Sequence, residues 1–514
     1  MAMPLNDSSL IRQFAEILGP DRVSTAESDL QYATRDLFPF PAPPPAGCVV
    51  RPNQVAPLVR VVRLAYQHQI PILARGAGLS YTGGLACADH PLVVDTRGLN
   101  TIEVHAEDRY VIAGAGVTWE ALSAELTPHG LRTQLAGPVS GSASTVGGAV
   151  SQALPGSMEG VIGLEVILAD GTLARTGSWA RAGTSAFHRQ AGPDLTGLFI
   201  GDQGAHGLKT AVVLRLVPRN DAAFASFSYP DGESLIGDLI RIQERGLVSR
   251  ALALNRERGT QASQVDSSDA LSVAGAVAAQ STSPLAALRN VASLVKGRLD
   301  LARAHWTLHL TAEGESAEIA QARIDLARNL CMQHGREIAD TVPRSIAARP
   351  YSIRSFLGPQ GERWVPIHGI VPLSHASATL AEIETYFTSA APEFARHEIA
   401  HSILMSTGGA FVTIEPMFLW ADELDPLHFE HLAERHWSRF GGRPARPDAR
   451  TEVVRHREAI RAILESHGAV HVQVGRFYRH LECLDPGSQA LLKTVRAALD
   501  PNAQLNPGAL GEVQ

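Results

Sequence analysis

The sequence predicts an α+β protein made of two α+β domains, and three observations carry that prediction. Up to about residue 218, short apolar runs of β type alternate with helix-period segments. Near residue 219 the composition shifts to Ala- and Ser-rich helical text such as 268–296. Two glycine-rich loops interrupt the first block between regular elements. A chain of 514 residues, 45% hydrophobic, is also too long for one ordinary core.

Residues 8–19 hold a helical period in Leu10, Ile11, Phe14, Ile17 and Leu18. A proline-rich stretch, 39–47, then delivers the chain extended into a strand at Cys48, Val49 and Val50. A helix over 54–69 leads to strands at 70–74, 92–95 and 110–113, a helix over 119–129, and strands at 161–168 and 208–218. Residues 219–455 mix strands (306–311, 367–371, 410–415) with helices (317–334, 376–391, 426–440), a second unit. The last stretch, 456–514, contains the end of a helix over 452–467, a strand over 469–475, a helix over 488–499 and the tail DPNAQLNPG, and returns toward the first domain.

A net charge of −7 without long single-sign runs offers no footprint for nucleic acid or an anionic membrane. Cys48, Cys87, Cys331 and Cys483 are scattered, with no CxxC pair, so neither a disulfide framework nor a thiolate metal site is expected. No stretch is long and apolar enough to span a bilayer, and the first twenty residues do not read as a secretory signal. A cytoplasmic enzyme acting on a small molecule, with no metal, is expected.

The first glycine loop, Arg75-Gly76-Ala77-Gly78-Leu79-Ser80 with Gly83 just beyond, follows a hydrophobic strand. Glycines lacking Cβ let successive amides approach a pyrophosphate. The second, 137–148, places Pro138, Ser140, Ser142, Ser144, Thr145, Gly147 and Gly148 where a flat ring and its phosphates could lie on backbone. Neither is a GxGxxG fingerprint or a GxxxxGK[ST] loop.

The order CVVRPNQVAPLVRVVRLAYQHQIPILARGAG, LVVDTRGLNTI, VIAGAGVTWEAL, STVGGAV, VIGLEVILADGTL, FIGDQGAHGLKTAVVLRLVP and LDPNAQLNPGALG resembles the vanillyl-alcohol oxidase / p-cresol methylhydroxylase (PCMH-type) flavoprotein superfamily. That resemblance implies an FAD-binding domain of two α+β subdomains over 1–218 and an α+β cap over 219–455. It puts the diphosphate against 75–80, the ring and ribityl near 138–148, the adenine end near Gly160, Val161 and Ile162, and Asn506 of the tail close to the flavin. Relatives with a histidyl flavin link read RxxGHS, and this chain has Leu79 there; the cap strand MSTGGAFVTIEPMF offers no His or Tyr either. FAD is therefore expected to be held non-covalently, with His397 and His401 as outside candidates for a link.

The same resemblance implies hydride transfer from a small hydroxylated substrate to flavin N5, with oxygen or an electron carrier as second acceptor. Tyr81, Tyr478 and Arg479 resemble the two tyrosines and the arginine that bind the phenolate oxygen in para-substituted phenol oxidases, a substrate class that includes 4-hydroxybenzyl alcohols. Ser140 stands where those oxidases carry an acidic residue, so the identity of any base stays open. A D-2-hydroxy-acid dehydrogenase is the alternative, although its HxGDGN and GEHG metal motifs are absent and His368, His467 and His471 do not form a clean ligand set. A non-catalytic flavin-binding electron-transfer subunit is the reading of another class. Close relatives in this superfamily are often homo-oligomers.

Overall fold

The computed structural model describes residues 8–87, 90–154, 158–264, 274–279, 297, 299–351 and 356–511. Most of the expected helical stretch 268–296 lies outside the described residues. Two compact units form. The first comprises Met1–Arg219, Asp425–Ala433 and Val472–Gln514, and the second Asn220–Leu424 and Glu434–His471.

In the first unit, Cys48–Val50, Leu92–Asp95 and Ile72–Arg75 run parallel, with Val23–Ser24 added antiparallel at the edge. These strands read as unbroken apolar runs because both faces are covered. Cys48, Val50, Ile72, Leu92 and Val94 pack under the helices Ser8–Leu18 and Val55–Gln67. Val49, Leu73 and Val93 join Ala33, Ala46 and Cys87 on the other side. A six-stranded antiparallel sheet follows in the order Ile102–His105, Tyr110–Gly114, Leu208–Pro218, Val161–Ile167, Leu173–Arg175, with Leu131–Thr133 also paired to Leu208–Pro218. All seven residues of Val161–Ile167 are buried.

The second unit is an eight-stranded antiparallel sheet: Arg336–Ile338, Asp221–Tyr229, Trp306–Gly314, Arg250–Asn255, Ile399–Thr407, Phe411–Trp420 and Arg363–Pro366, with Gly369–Pro372 also on Phe411–Trp420. Register sorts its side chains by period two. Leu308, Ala253, Ile403, Met405, Ile414 and Phe418 share one face, on which Phe387 and Phe394 of the helices Ala376–Ser389 and Ala391–His397 meet Phe418 edge-on or tilted. The other face carries polar groups, including Ser226, His309, Ser402 and Glu415.

Several expected elements differ in detail. The helix expected over 426–440 is two short pieces, Pro426–Glu430 and Trp437–Phe440, and the first piece packs in the first unit. The helix expected over 452–467 starts earlier, at Pro447, because Pro447 suits the first helical turn and Ala449 and Val453 extend its buried stripe. That helix stays in the second unit, and the chain re-enters the first at Val472. No strand forms over 469–475; only Val470 bridges Ile370. The alternation there is apolar enough for a strand, but Gly468 and Gly475 take positive φ and turn the segment away from a ladder.

Candidate functional site

The strand Ile72–Arg75 ends in a side chain that is almost wholly buried, Arg75. Its Nη1 donates to the carbonyls of Ala33 (3.1 Å) and Arg35 (2.7 Å), and its guanidinium lies 4.3 Å from the centre of the Tyr32 ring. Nε and Nη2 have no hydrogen-bond partner. Burial, reinforced by the like charge of Arg97 and opposed by Asp95 and Asp36, pushes its pKa down to about 9. It remains a buried cation with unused donors, which is the electrostatic condition for holding an anion.

The loop beyond Arg75 is shaped by its glycines. Gly78 has φ +75°, and a side chain there would strike the Arg75 guanidinium. Ala77 is buried, while Leu79 and Ser80 are half-buried; the Ser80 carbonyl accepts Leu37 N–H (2.8 Å) and its hydroxyl pairs with Thr82 Oγ1 (3.1 Å). Gly83, at φ +73°, donates its N–H to Asp36 Oδ2 (2.8 Å).

The second glycine segment meets the first at Thr145. Its Oγ1 caps the helix Val146–Gln152 by accepting Gly148 N–H (3.3 Å), and a Cβ on Gly76 would collide with that same oxygen. Gly147 in turn packs on Ala115, whose Cβ would be 2.7 Å from any side chain placed there. The RGAG, GAGVTW and STVGG stretches therefore converge through positions where only hydrogen fits. Ahead of them, the Pro138 carbonyl accepts Gly141 N–H (2.9 Å) and Ser140 Oγ pairs with Ser144 Oγ (2.6 Å). Gly160 lies against Leu135, and Val161 and Ile162 place their side chains in the core, Ile162 beside Tyr110 and Val213.

Around these loops, buried polar atoms lack partners: Arg75 Nε and Nη2, Ser142 Oγ, Gln152 Oε1, Gln203 Oε1 and Trp119 Nε1. Gln152 and Gln203 both border Gly84, 3.2 and 3.3 Å from where its Cβ would be. Buried polar atoms are rarely left unpaired. A set of them beside backbone that has room only for glycine fits a large, polar, phosphate-bearing cofactor such as FAD.

The C-terminal tail closes over the first loop through a residue that no sequence pattern marked, Arg476. Its Nη1 donates to Gly83 O (3.0 Å) and Gly84 O (3.1 Å), and its Nη2 to Asn506 Oδ1 (2.9 Å) and Pro507 O (2.6 Å). Asn506, at φ +41°, donates Nδ2 to Gly84 O (3.2 Å) and Gln203 O (2.6 Å). Its amide thus ties three segments together. The Thr82 carbonyl accepts N–H from Arg476 (2.7 Å) and Phe477 (3.1 Å), which draws the stretch holding Tyr478 against the stretch holding Tyr81. Both tyrosines are buried, at 8% and 2% exposure; Arg479, next in sequence to Tyr478, is exposed. Burial lowers the pKa of His480.

The segment Asp425–Ala433 adds a third side to the glycine loop. Asp425 pairs with Arg35 (2.9 Å), Glu430 accepts from Arg97 Nη1 (2.6 Å) and from the Tyr32 hydroxyl, and a ring N–H of His431 donates to the Ala77 carbonyl. Burial, with help from Arg97 and Arg75, pushes the His431 pKa down to about 4.

In the second unit, His368 Nε2 lies 3.3 Å from Glu415 on the polar face of the sheet, and the His368 carbonyl accepts from His471 Nδ1 (2.6 Å). His467 pairs with Glu382 (2.7 Å), His397 with Asp448 (3.5 Å), and His401 packs between Phe387 and Phe394. Glu393, Glu452 and His456 form a cluster with metal-ligand spacing, but Arg455 pairs with both carboxylates. No helix among the described residues is long and apolar enough to cross a membrane.

The family FAD_binding_4, an FAD binding domain, matches residues 46–177, the stretch that contains both glycine loops. A probable mitochondrial D-lactate dehydrogenase of Danio rerio is 28% identical over 46% of this chain and 48% of its own length. An uncharacterized FAD-linked oxidoreductase of Escherichia coli (strain K12) is 30% identical over 50% of this chain and 56% of its own. The chain thus spans about half the length of these curated relatives. A crystal structure of p-cresol methylhydroxylase with substrate bound superposes with a TM-score of 0.75 at 15% identity, covering 99% of both chains.

Proposed function

The chain has the FAD binding domain and the fold of the PCMH-type FAD-linked oxidoreductase superfamily, and from that premise we propose that it is an FAD-dependent oxidoreductase acting on a small hydroxylated organic molecule. Bound FAD supplies the two-electron acceptor, and oxygen or an electron carrier restores it. The leading substrate is a para-substituted phenol or 4-hydroxybenzyl alcohol. The observation that carries this reading is the burial of Tyr81 and Tyr478, remote in sequence, on stretches joined through the Thr82 carbonyl.

Two tyrosine hydroxyls in a dry setting donate to a phenol's oxygen and favour its ionised form, and an arginine adds charge that stabilises the phenolate. Arg479 takes that part. Ser140, already hydrogen-bonded to Ser144, supplies a hydroxyl and no carboxylate. The buried donors of Arg75 would meet the diphosphate, Ser142 and Gln152 would offer polar contacts to the rest of the cofactor, and no residue of the first loop offers a ring for covalent attachment.

A second reading, oxidation of a D-2-hydroxy acid, is favoured by the D-lactate dehydrogenase relative; Arg479 would then clamp a carboxylate. Anaerobic titration of the purified yellow protein separates the two. Bleaching by 4-alkylphenols and 4-hydroxybenzyl alcohols, lost in Arg479→Ala, supports the phenolic reading. Bleaching by D-2-hydroxy acids alone replaces it with the second, and no bleaching by either leaves a flavin carrier. Acid precipitation should release all colour into solution; colour retained in the pellet refutes non-covalent binding.

A further inference from the structure

We propose that the segment Asp425–Ala433 is a clamp for the diphosphate-binding loop, with Glu430 and His431 as positioning residues for FAD. The chain leaves the second unit at Leu424, contributes nine residues to the first, and goes back at Glu434. Leu427, His428, His431 and Leu432 are buried there, so the excursion is anchored by apolar area as well as by charge.

Its polar contacts converge on the support of a single side chain. Arg75 is held by the Arg35 carbonyl and the Tyr32 ring. Asp425 grips the Arg35 guanidinium and Glu430 grips the Tyr32 hydroxyl. Glu430 also binds Arg97, whose other donors chelate Asp95 at the end of the neighbouring strand (2.6 and 2.9 Å). His431 then fixes the loop itself, at the Ala77 carbonyl. The clamp thus touches both walls of the Arg75 cradle and the peptide two residues beyond it.

Arg75 Nε and Nη2 stay without partners while Nη1 is doubly used. A guanidinium pinned through one nitrogen presents its remaining donors in a fixed direction, so holding its support holds the direction in which an anion is met. A phosphate-binding geometry that is set before the ligand arrives costs less to occupy.

The clamp rests on the FAD reading, and its test separates the two. FAD is stripped from the full-length protein and rebinding is followed by flavin fluorescence, with ADP and riboflavin as competitors. His431→Leu and Glu430→Gln are expected to raise the Kd for FAD and for ADP by about tenfold each, leaving riboflavin within about twofold. His431→Asn, which keeps an N–H donor, is expected to restore most of the affinity. Kd is referred to the folded fraction, so a loss of stability alone does not register. Wild-type affinity for FAD and ADP in both variants overturns the clamp, as does a parallel loss for riboflavin. Failure of the wild-type protein to rebind FAD overturns the FAD reading together with it.

Discussion

Replacing Arg476 by Met should loosen the join between the C-terminal tail and the first glycine loop more than its half-buried position suggests. Four acceptors depend on that guanidinium: Gly83 O, Gly84 O, Asn506 Oδ1 and Pro507 O, at 2.6 to 3.1 Å. Hydrogen bonds from a charged donor are worth about 1.5–3 kcal/mol each, but water and neighbouring amides will resatisfy some of these oxygens. A net cost of about 3–5 kcal/mol is the reasonable sum, since the substitution also strands polar atoms in a buried setting. At roughly 2–4 °C per kcal/mol for a domain of this size, the melting temperature should fall by about 10 °C. Arg476→Lys should recover less than half, because an ammonium cannot present two parallel pairs of donors. Hydrogen exchange should show the loss first in the peptides covering Gly83, Gly84 and 505–508. A melting temperature lowered by less than about 2 °C, with protection there unchanged, would falsify the claim that Arg476 is the tie.

Three further outcomes are expected. Gly76→Ala drives a methyl into Thr145 Oγ1 and should cost about tenfold or more in FAD affinity, read as flavin retained per protein after gel filtration; Gly237→Ala, on the helix Gly232–Glu244, where a methyl would meet only the Arg241 side chain at 3.9 Å, should be neutral or stabilising by about 0.5–1 kcal/mol. His309 is buried between Ser226 and Thr307 (2.9 and 3.0 Å), and burial pushes its pKa down to about 3. The unfolded chain therefore takes up a proton below about pH 6.5 that the fold refuses until about pH 3, so stability is full above pH 6.5 and falls as pH drops toward 3. Between pH 6.5 and 4.5 that loss is about 2–3 kcal/mol, to be measured as the difference in urea midpoints between wild type and His309→Gln; identical pH profiles would remove His309 as the cause. Lys209→Met should destabilise by about 3–5 kcal/mol in thermal melts, because Asp202 would stay buried with its 2.6 Å counter-ion gone, and pairing it with Asp202→Asn should recover part of the loss; no recovery would mean that packing, not the stranded charge, sets the cost.

Local text was enough for the frame of the first unit and the place of its glycine loops. Cys48–Val50, Leu92–Asp95 and Leu208–Pro218 form as expected, because an apolar run of strand length between helix-period stretches admits few other conformations. The glycines at 76, 78, 147 and 148 were legible for a related reason: residues without Cβ mark where backbone must come close to something, before it is known to what. Tyr81 and Tyr478 could be named from resemblance, but their burial beside one stretch of hydrogen-bonded backbone could not.

What tertiary structure alone decided is which remote groups complete those loops. Arg476, Asp36, Gln203, Glu430 and His431 carry no local signature, since an arginine or a glutamate in a polar stretch reads as solvated surface. The excursion Asp425–Ala433 is the clearest case. Its helix-like pattern predicted one helix over 426–440, where two short pieces form, because the pattern reports only that one face is apolar, not where the chain turns or which unit that face will be buried in. Strand and helix periods are properties of neighbours along the chain, whereas the partners of a buried guanidinium or a glycine carbonyl are chosen by three-dimensional proximity. For that reason the sequence by itself determined the main strands of the first unit and its glycine loops, and the fold decided where weaker patterns break and which charges surround those loops.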